Sequence, residues 1–363
     1  MGVKECSMKI VLINLAVLFI MSSCLEIGAR LFFPEFKNHI FSKNKSFNVE
    51  YHDGDFHGYQ IRKKSSKPRI PKSLPLVIVI GDSISGGFGT AYEDIWWEKL
   101  RRILKASGKN VEVISISAYG NNIGDAVAAV NQIAEVENLE IIKIIYQYNF
   151  NDIMPFQKAG LKDSEDSGIL NSEIFYSIAR WRYKYANHSV FMRTMQHYTG
   201  KLIRKTSGGC MDRDIHALGP YTWSFGSKSR VDESIIYWDE FEKHIINMNK
   251  KAQSLKVDFE ILISPILYDI DSQNAHLHYN YLNYDFSCAT MNPRQKILAI
   301  GKKENIKIYD PTPEIKRSFE ARIEEGNFTP YFFAADDNHF TPLAGSYIAE
   351  VIASEWPSRV DLR

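Results

Sequence analysis

Four short blocks of the chain carry the residue types that nucleophilic catalysis requires. They are Gly81-Asp82-Ser83, Ala118-Tyr119-Gly120-Asn121-Asn122, Asn149-Phe150-Asn151-Asp152 and Asp336-Asp337-Asn338-His339. A serine hydroxyl becomes a nucleophile when an imidazole accepts its proton and a carboxylate orients that imidazole. Each block alone has an ordinary explanation as a turn or a surface loop. Together they predict a serine-based site, provided that the fold brings them to one place.

The elements around the first three blocks predict such a fold. Continuous apolar runs predict strands buried on both faces, and amphipathic periodicity predicts helices between them. The strands are Leu76–Ile80, Val111–Ser117 and Ile141–Tyr148, and the helices are Tyr92–Ser107 and Asn122–Glu137. This alternation predicts a parallel sheet with right-handed crossovers. Because each of the first three blocks follows a strand, they should meet at the carboxyl edge of the sheet, where ligands bind in open α/β folds.

The pattern is interrupted after the third strand and then resumes. We predict a mostly helical insertion over residues 153–235, followed by the helix Ile236–Leu255, the strand Phe259–Ile263, the helix Pro293–Lys303, the strand Ile306–Tyr309 and a last helix that Thr341 caps. One large domain is therefore expected over residues 75–363. Residues 34–74, rich in Lys, Ser, Asn and Pro, are predicted to form a linker or stalk.

The N-terminal segment, residues 1–33, is predicted to direct export. Lys4 and Lys9 precede an uncharged stretch from Ile10 to Leu25, which is slightly short of the ~20 residues that span a bilayer. One interpretation is an uncleaved signal anchor. A second is a lipoprotein signal, since Met21-Ser22-Ser23-Cys24 resembles a lipobox. A cleaved or buried segment is the third. The first two put the remaining chain outside the cytoplasm and tether it to a membrane.

Composition excludes several other classes. The net charge is +1, and no basic stripe is present, so we expect no nucleic-acid partner. The four cysteines form no CxxC pair, and we predict no metal and no cofactor. Cys210 and Cys288 could pair in an oxidising compartment or remain two separate thiols.

The ordered blocks resemble the SGNH/GDSL hydrolase superfamily. Its signature is a serine in Gly-Asp-Ser, an isolated glycine, an asparagine in Asn-Asp and a C-terminal Asp-x-x-His. The resemblance covers roughly residues 75–155 and 255–355. It implies a three-layer α/β/α, flavodoxin-like parallel sheet. The sequence departs from the family at Asn149, where glycine is usual; asparagine tolerates left-handed backbone, so we expect the turn to be preserved.

The resemblance also implies residue roles. Ser83 would attack an ester carbonyl, His339 would move the proton, and Asp336 would orient the imidazole, with Asp337 as the alternative orienter. The oxyanion would be bound by the backbone N–H groups of Ser83 and Gly120 and by the Asn151 amide.

The sequence after Ser83, with its Gly-x-Gly and a following aromatic helix start, is similar to a membrane-anchored subgroup that acts on acyl groups of envelope carbohydrate. We therefore expect an esterase that removes a small acyl group, such as acetyl, from an envelope or extracellular glycan. Acyl transfer with an acyl-donor partner, a catalytically silent glycan-binding or envelope-assembly protein, and a lipid esterase are the alternatives.

Overall fold

The computed structural model describes 17, 20–32, 51–53, 60–62, 74–87, 90–117, 121–134, 139–153, 189, 191, 194–195, 198, 225–226, 231–270, 289–324, 332–334 and 337–357 of the chain. Its strands are β1 (Tyr51–Asp53), β2 (Gln60–Arg62), β3 (Leu76–Gly81), β4 (Glu112–Ser117), β5 (Ile141–Tyr148), β6 (Asp258–Ile263), β7 (Lys307–Tyr309), β8 (Phe332–Ala334) and β9 (Asp337–Phe340). Its helices are α1 (20–32), α2 (Trp96–Ala106), α3 (Ile123–Ile133), α4 (Val231–Ser254), α5 (Leu267–Ile270), α6 (Pro293–Glu304), α7 (Thr312–Glu324) and α8 (Pro342–Ser354).

The central sheet has the strand order β1-β2-β4-β3-β5-β6-β7. The pairs from β4 to β7 are parallel, and β1 and β2 add an antiparallel edge next to β4. The parallel strands thus follow the flavodoxin-like order, in which β3 lies between β4 and β5. The strand order reverses at this point, so a crevice forms at the carboxyl ends of β3 and β5. The predicted α/β class and flavodoxin-like sheet are confirmed.

Apolar side chains on alternate positions of each strand build two cores, one on each face of the sheet. Val77 and Val79 of β3 point to the face that α2 and α8 cover. Ile78 and Ile80 point to the opposite face, covered by α3, α4 and α6. Every residue of β3 is buried. This explains why the strand is apolar throughout, as expected for a parallel strand covered on both sides.

Three elements differ from the sequence prediction. The single helix expected over 92–107 is divided, because Ile95 is extended between a 3-10 turn, Tyr92–Asp94, and α2. Helix α7 follows β7, in a stretch with no predicted helix. The β8–β9 hairpin precedes α8, in a stretch with no predicted strand.

The remaining domain predictions concern segments of which the structure describes few residues. The backbone pairing of β1 and β2 lies within 34–74, the expected linker. Most of the predicted insertion 153–235 lies outside the described residues, as do Cys210 and Cys288. In the described portion, no helix has the length and hydropathy to cross a membrane.

Candidate active site

The Ser83 hydroxyl and the His339 imidazole form a hydrogen-bonded pair. Ser83 is the second residue after β3, and His339 lies on β9, shortly before α8. The Ser83 Oγ to His339 Nε2 distance is 2.8 Å. Ser83 is buried, and His339 is partly exposed. A serine within hydrogen-bond reach of an imidazole is the arrangement that a general base needs in order to activate a nucleophile.

The turn that presents Ser83 is fixed by its own backbone and by Asp82. The Ile84 N–H donates to Asp82 Oδ1 at 2.9 Å, and the Gly86 N–H donates to the Asp82 carbonyl oxygen at 3.0 Å. Gly87 has φ of 63°, a conformation that favours glycine. The chain therefore reverses sharply after β3 and leaves the Ser83 side chain at the carboxyl edge of the sheet.

Gly81 is required by close packing below this turn. A Cβ at position 81 would lie 2.1 Å from Ser85 Oγ and 3.3 Å from Gln147 Cβ. The backbone at Gly81 has no positive φ, so the constraint is space alone. The glycine lets the serine turn pack directly against β5.

Gln147, a fully buried amide on β5, connects three elements behind the turn. Its Oε1 accepts from Ser85 Oγ at 2.6 Å and from Trp96 Nε1 at 2.9 Å, and its Nε2 donates to Ser264 Oγ at 2.9 Å. Trp97 Nε1 also donates to the Ser85 carbonyl oxygen, at 2.8 Å. A buried amide with its donors and acceptor satisfied fixes the orientation of its partners. The serine turn is thereby held against β5, β6 and the start of α2.

The strand that carries His339 is held to the same loop. Thr90 Oγ1 donates to the Phe340 carbonyl oxygen at 3.2 Å. Thr341, the next residue, caps α8 by accepting from the Ala344 N–H at 3.3 Å. A small depression adjoins His339, and Ile84, Thr90 and Phe340 are among the residues that line it.

Asn151 lies beside the residue that precedes the serine. It belongs to the 3-10 turn Phe150–Ile153 after β5, and its Nδ2 donates to Asp82 Oδ2 at 3.2 Å. Asn149 Nδ2 donates to the same oxygen at 2.9 Å. Two amides therefore converge on one carboxylate oxygen, across the gap between the ends of β3 and β5.

The backbone at Asn149 does not require glycine. Among the described residues, the non-glycine positions with positive φ are Lys256 and Asn305. Asn149 is thus not left-handed, so the left-handed tolerance of asparagine plays no part at this position. Its buried side chain instead makes two bonds, since Asn149 Oδ1 accepts from the Phe150 N–H at 2.9 Å and Nδ2 donates to Asp82.

Asp152 stabilises this turn from within the protein. Its Oδ2 accepts from the Asn149 N–H at 2.8 Å and from the Tyr146 hydroxyl at 2.7 Å. Burial raises the pKa of the Asp152 carboxyl well above its usual value, and the nearby charge of Asp82 adds to the shift, while the two hydrogen bonds oppose it.

Two predicted site residues lie outside the described residues. Gly120 is one; the adjacent Asn121 donates from Nδ2 to the Gly81 carbonyl oxygen at 3.2 Å. Asp336 is the other. Asp337, the alternative orienter, pairs through its backbone with Ala334 in the β8–β9 hairpin. Their predicted roles remain predictions, and no metal-binding cluster occurs among the residues that the structure describes.

Sequence reasoning missed the supporting roles of Asp82, Gln147 and Asn149. Gln147 carries one usable signal, because it is a polar residue in the otherwise largely apolar strand Ile141–Tyr148. A polar side chain at a buried strand position requires partners. The partners of Asp82 and Asn149 depend on the strand order, which the sequence only suggests.

Comparisons with known proteins found similarity to solved structures. No family model and no curated protein matches the chain. Solved structures with a similar fold include the acetyl xylan esterase AlAXEase, with 15% identity, a TM-score of 0.42 and coverage of 77% of this chain and 98% of that one. TesA is similar at 12% identity and a TM-score of 0.40, covering 78% and 97% of the two chains. A catalytic mutant of an acetylxylan esterase from Geobacillus stearothermophilus has 13% identity and a TM-score of 0.39, covering 77% and 93%.

The observed parallel strand order, with Ser83 after β3 and His339 before α8, is the arrangement that the predicted SGNH/GDSL resemblance implies. The resemblance is therefore confirmed at the level of the fold.

Proposed function

We propose that this chain is a serine ester hydrolase that removes a small acyl group, such as acetyl, from an envelope or extracellular carbohydrate. One observation supports the chemistry above all others. The Ser83 hydroxyl is 2.8 Å from the His339 imidazole, at the carboxyl edge of a parallel sheet and beside its switch point.

The pair supports a two-step mechanism. In the first step, Ser83 Oγ attacks the ester carbonyl while His339 Nε2 takes the hydroxyl proton, and the imidazolium then returns a proton to the leaving alcohol. The product is an acyl-enzyme on Ser83. In the second step, His339 takes a proton from water, the resulting hydroxide attacks the acyl carbonyl, and Ser83 recovers its proton.

Four further groups complete the proposed site. Asp336 orients the His339 ring, and the Gly120 N–H and the Asn151 amide bind the oxyanion together with the Ser83 N–H. The contact of Asn151 with Asp82 supports this assignment, since Asp82 immediately precedes Ser83. A neutral amide suits the task because it donates without titrating.

The substrate class follows from the family resemblance of the serine block. Carbohydrate as the alcohol component rests on the resemblance alone.

A fluorophosphonate probe and a chain-length series of p-nitrophenyl esters test the proposal. We expect the wild type to be labelled and to prefer the acetyl ester, and Ser83→Ala to lose both labelling and turnover. Undiminished labelling of Ser83→Ala would exclude this mechanism. A preference for long acyl chains would favour a lipid esterase, and absence of turnover with retained glycan binding would favour a silent binding protein.

The choice between hydrolysis and acyl transfer has its own test. Mass spectrometry of reactions that contain both an acyl donor and an acceptor glycan identifies whether water or a sugar hydroxyl receives the acyl group. Free acid as the only acyl product supports hydrolysis, and acylated glycan supports transfer.

We also propose that the N-terminal segment tethers the enzyme to a membrane, with the catalytic domain outside the cytoplasm. Helix α1 exposes large apolar side chains, with Leu31 68% and Phe32 79% exposed. The polar Glu26 is instead directed to the protein: it accepts from Ser189 Oγ at 2.7 Å and from the Phe191 N–H at 3.1 Å. Arg30 of the same helix is 44% exposed and pairs with Glu26. Large apolar side chains beside a basic one on the outward surface suit a helix at a membrane interface.

Flotation with phospholipid vesicles tests the tether. We expect the full chain to float and a Leu31→Glu, Phe32→Glu double variant to float less. Equal recovery of both proteins in the unbound fraction would contradict the proposal.

A further inference from the structure

Asn149 occupies a position that links two parts of the proposed site. Its side chain is buried, with 4% of its surface exposed, and lies between the end of β3 and the turn after β5. Asn149 Nδ2 donates to Asp82 Oδ2 at 2.9 Å, and Asn151 Nδ2 donates to that same oxygen at 3.2 Å. The carboxylate is therefore shared between two amides that are two residues apart.

The Asp82 carboxylate is held on both oxygens. Oδ1 accepts from the Ile84 N–H at 2.9 Å, within the serine turn. Oδ2 receives the two amides. Charge-assisted bonds of this kind are stronger than neutral ones, so the carboxylate acts as a rigid connection between the serine turn and the turn after β5.

The Asn149 amide is itself fixed in one orientation. Its Oδ1 accepts from the Phe150 N–H at 2.9 Å, which requires that Nδ2 faces Asp82. Its main-chain N–H donates to Asp152 Oδ2 at 2.8 Å, so the backbone is restrained as well. Asn149 can thus hold the Asp82 carboxylate at one position, without freedom to rotate.

We propose that Asn149 is a positioning residue that acts through Asp82 to orient the Asn151 amide for oxyanion binding. One hydrogen of Asn151 Nδ2 is used by Asp82, which fixes the amide plane and leaves the second hydrogen for the substrate oxygen. Without Asn149, Asp82 can shift, and Asn151 loses its fixed orientation. This inference rests on the proposed esterase function, because it assigns Asn151 to the oxyanion.

A double-mutant cycle on p-nitrophenyl acetate separates this role from a merely structural one. We expect Asn149→Ala to lower kcat about tenfold with KM changed less than about twofold. In an Asn151→Ala background, Asn149→Ala should have no further effect on kcat. An unchanged kcat in the single variant, or the same tenfold loss in both backgrounds, would overturn the proposal.

Two further variants control for folding. Asn149→Ser retains a group that can accept from the Phe150 N–H but is too short to reach Asp82, so it should reproduce the loss of kcat. Asn292→Ala removes a helix-capping asparagine from the start of α6, where Asn292 Oδ1 accepts from the Gln295 N–H. It should lower the Tm and leave kcat unchanged. A loss of kcat in proportion to the Tm in all three variants would contradict a positioning role.

A crystal structure of Asn149→Ala examines the same point without turnover. We expect Asn151 Nδ2 to leave the Asp82 carboxylate or to occupy more than one rotamer. An unaltered contact near 3.2 Å would overturn the inference. If the wild type shows no Ser83-dependent turnover, the proposed function fails, and the crystal structure alone decides whether Asn149 orients Asn151.

Discussion

The His339 Nε2 atom lies 2.8 Å from Ser83 Oγ, although 256 positions separate the two residues. Their proximity is fixed by packing on one face of the sheet. Helix α2 begins after the serine turn, and α8 begins three residues after His339, at Pro342, with Thr341 as its N-cap. The two helices share one apolar core that includes Leu100 and Ile348. The distance between nucleophile and base is therefore set by the contact of two helices.

Replacement of the base should abolish most of the activity. We expect His339→Gln to lower kcat on the order of 10⁴-fold, because the glutamine amide cannot accept and return a proton. The measurement is steady-state hydrolysis of p-nitrophenyl acetate. His244→Gln on α4, a helix on the face of the sheet opposite α2 and α8, is the matched control and should retain wild-type kcat. A His339→Gln rate within tenfold of wild type would contradict the assignment of the base.

Any side chain at position 81 should lower the stability of the protein. Gly81→Ala is expected to destabilise the protein by about 3 kcal/mol, as measured by urea unfolding, because its Cβ would lie 2.1 Å from Ser85 Oγ. Adding Ser85→Gly should recover part of this loss, since it removes the atoms in conflict.

Gly28→Ala is the control for the substitution itself. A Cβ at Gly28 would meet no atom within 4 Å, and the position is helical, so alanine should be neutral or stabilising by up to about 1 kcal/mol. Equal destabilisation at positions 81 and 28 would refute the steric explanation.

Asp269 should make stability depend on pH in the mildly acidic range. Burial raises the pKa of the Asp269 carboxyl to about 6 from its usual 3.8, an effect that Arg294 opposes. Between these values the folded state holds a proton that the unfolded chain has lost. The free energy of unfolding therefore falls as pH rises from about 4 to about 6, and it stays lower above that window.

Asp269→Asn tests this linkage because it removes the titration. The variant should match the wild type near pH 4 and exceed its stability by about 2 kcal/mol at pH 7. Urea unfolding at a series of pH values gives both quantities. The linkage would be contradicted if the unfolding free energy of the wild type rose between pH 4 and pH 6. It would also be contradicted if the unfolding free energy of Asp269→Asn changed with pH as steeply as that of the wild type.

Removal of one partner of the buried ion pair between Lys143 of β5 and Glu260 of β6 should lower the unfolding free energy. The two side chains are 5% and 8% exposed, and the Lys143 ammonium lies over the Trp356 ring, 4.6 Å from its centroid. We expect Lys143→Met to destabilise the protein by about 3–5 kcal/mol, since Glu260 would remain buried without its cation. The Lys143→Met, Glu260→Leu double variant should be more stable than Lys143→Met.

An exposed pair provides the comparison. Arg317 Nη2 lies 2.9 Å from Glu314 Oε1 on α7, and the two side chains are 73% and 39% exposed. Glu314→Gln should therefore change the unfolding free energy by less than about 0.5 kcal/mol. If the Lys143→Met, Glu260→Leu double variant is less stable than Lys143→Met, the unpaired charge of Glu260 is not the cause of the destabilisation.

The parallel sheet and the place of the nucleophile in it could be predicted from local sequence signals. The run Leu76–Ile80 is apolar at every position, which only a strand covered on both faces satisfies, and Ser83 follows it closely. Thr341-Pro342 marked the start of α8 and thereby fixed His339 just outside a helix. These are local signals, because burial pattern and capping are encoded within a few neighbouring residues.

The side chains that support the site could not be predicted from the sequence, because their contacts depend on the tertiary fold. Gln147 bonds Ser85, Trp96 and Ser264, and Asp82 accepts from both Asn149 and Asn151, contacts that cross between β3, β5 and β6. The β8–β9 hairpin likewise depends on pairing between segments that carry no strong strand signal of their own. A buried hydrogen bond is defined by the partner that lies within about 3 Å, and that partner is chosen by strand order and helix packing.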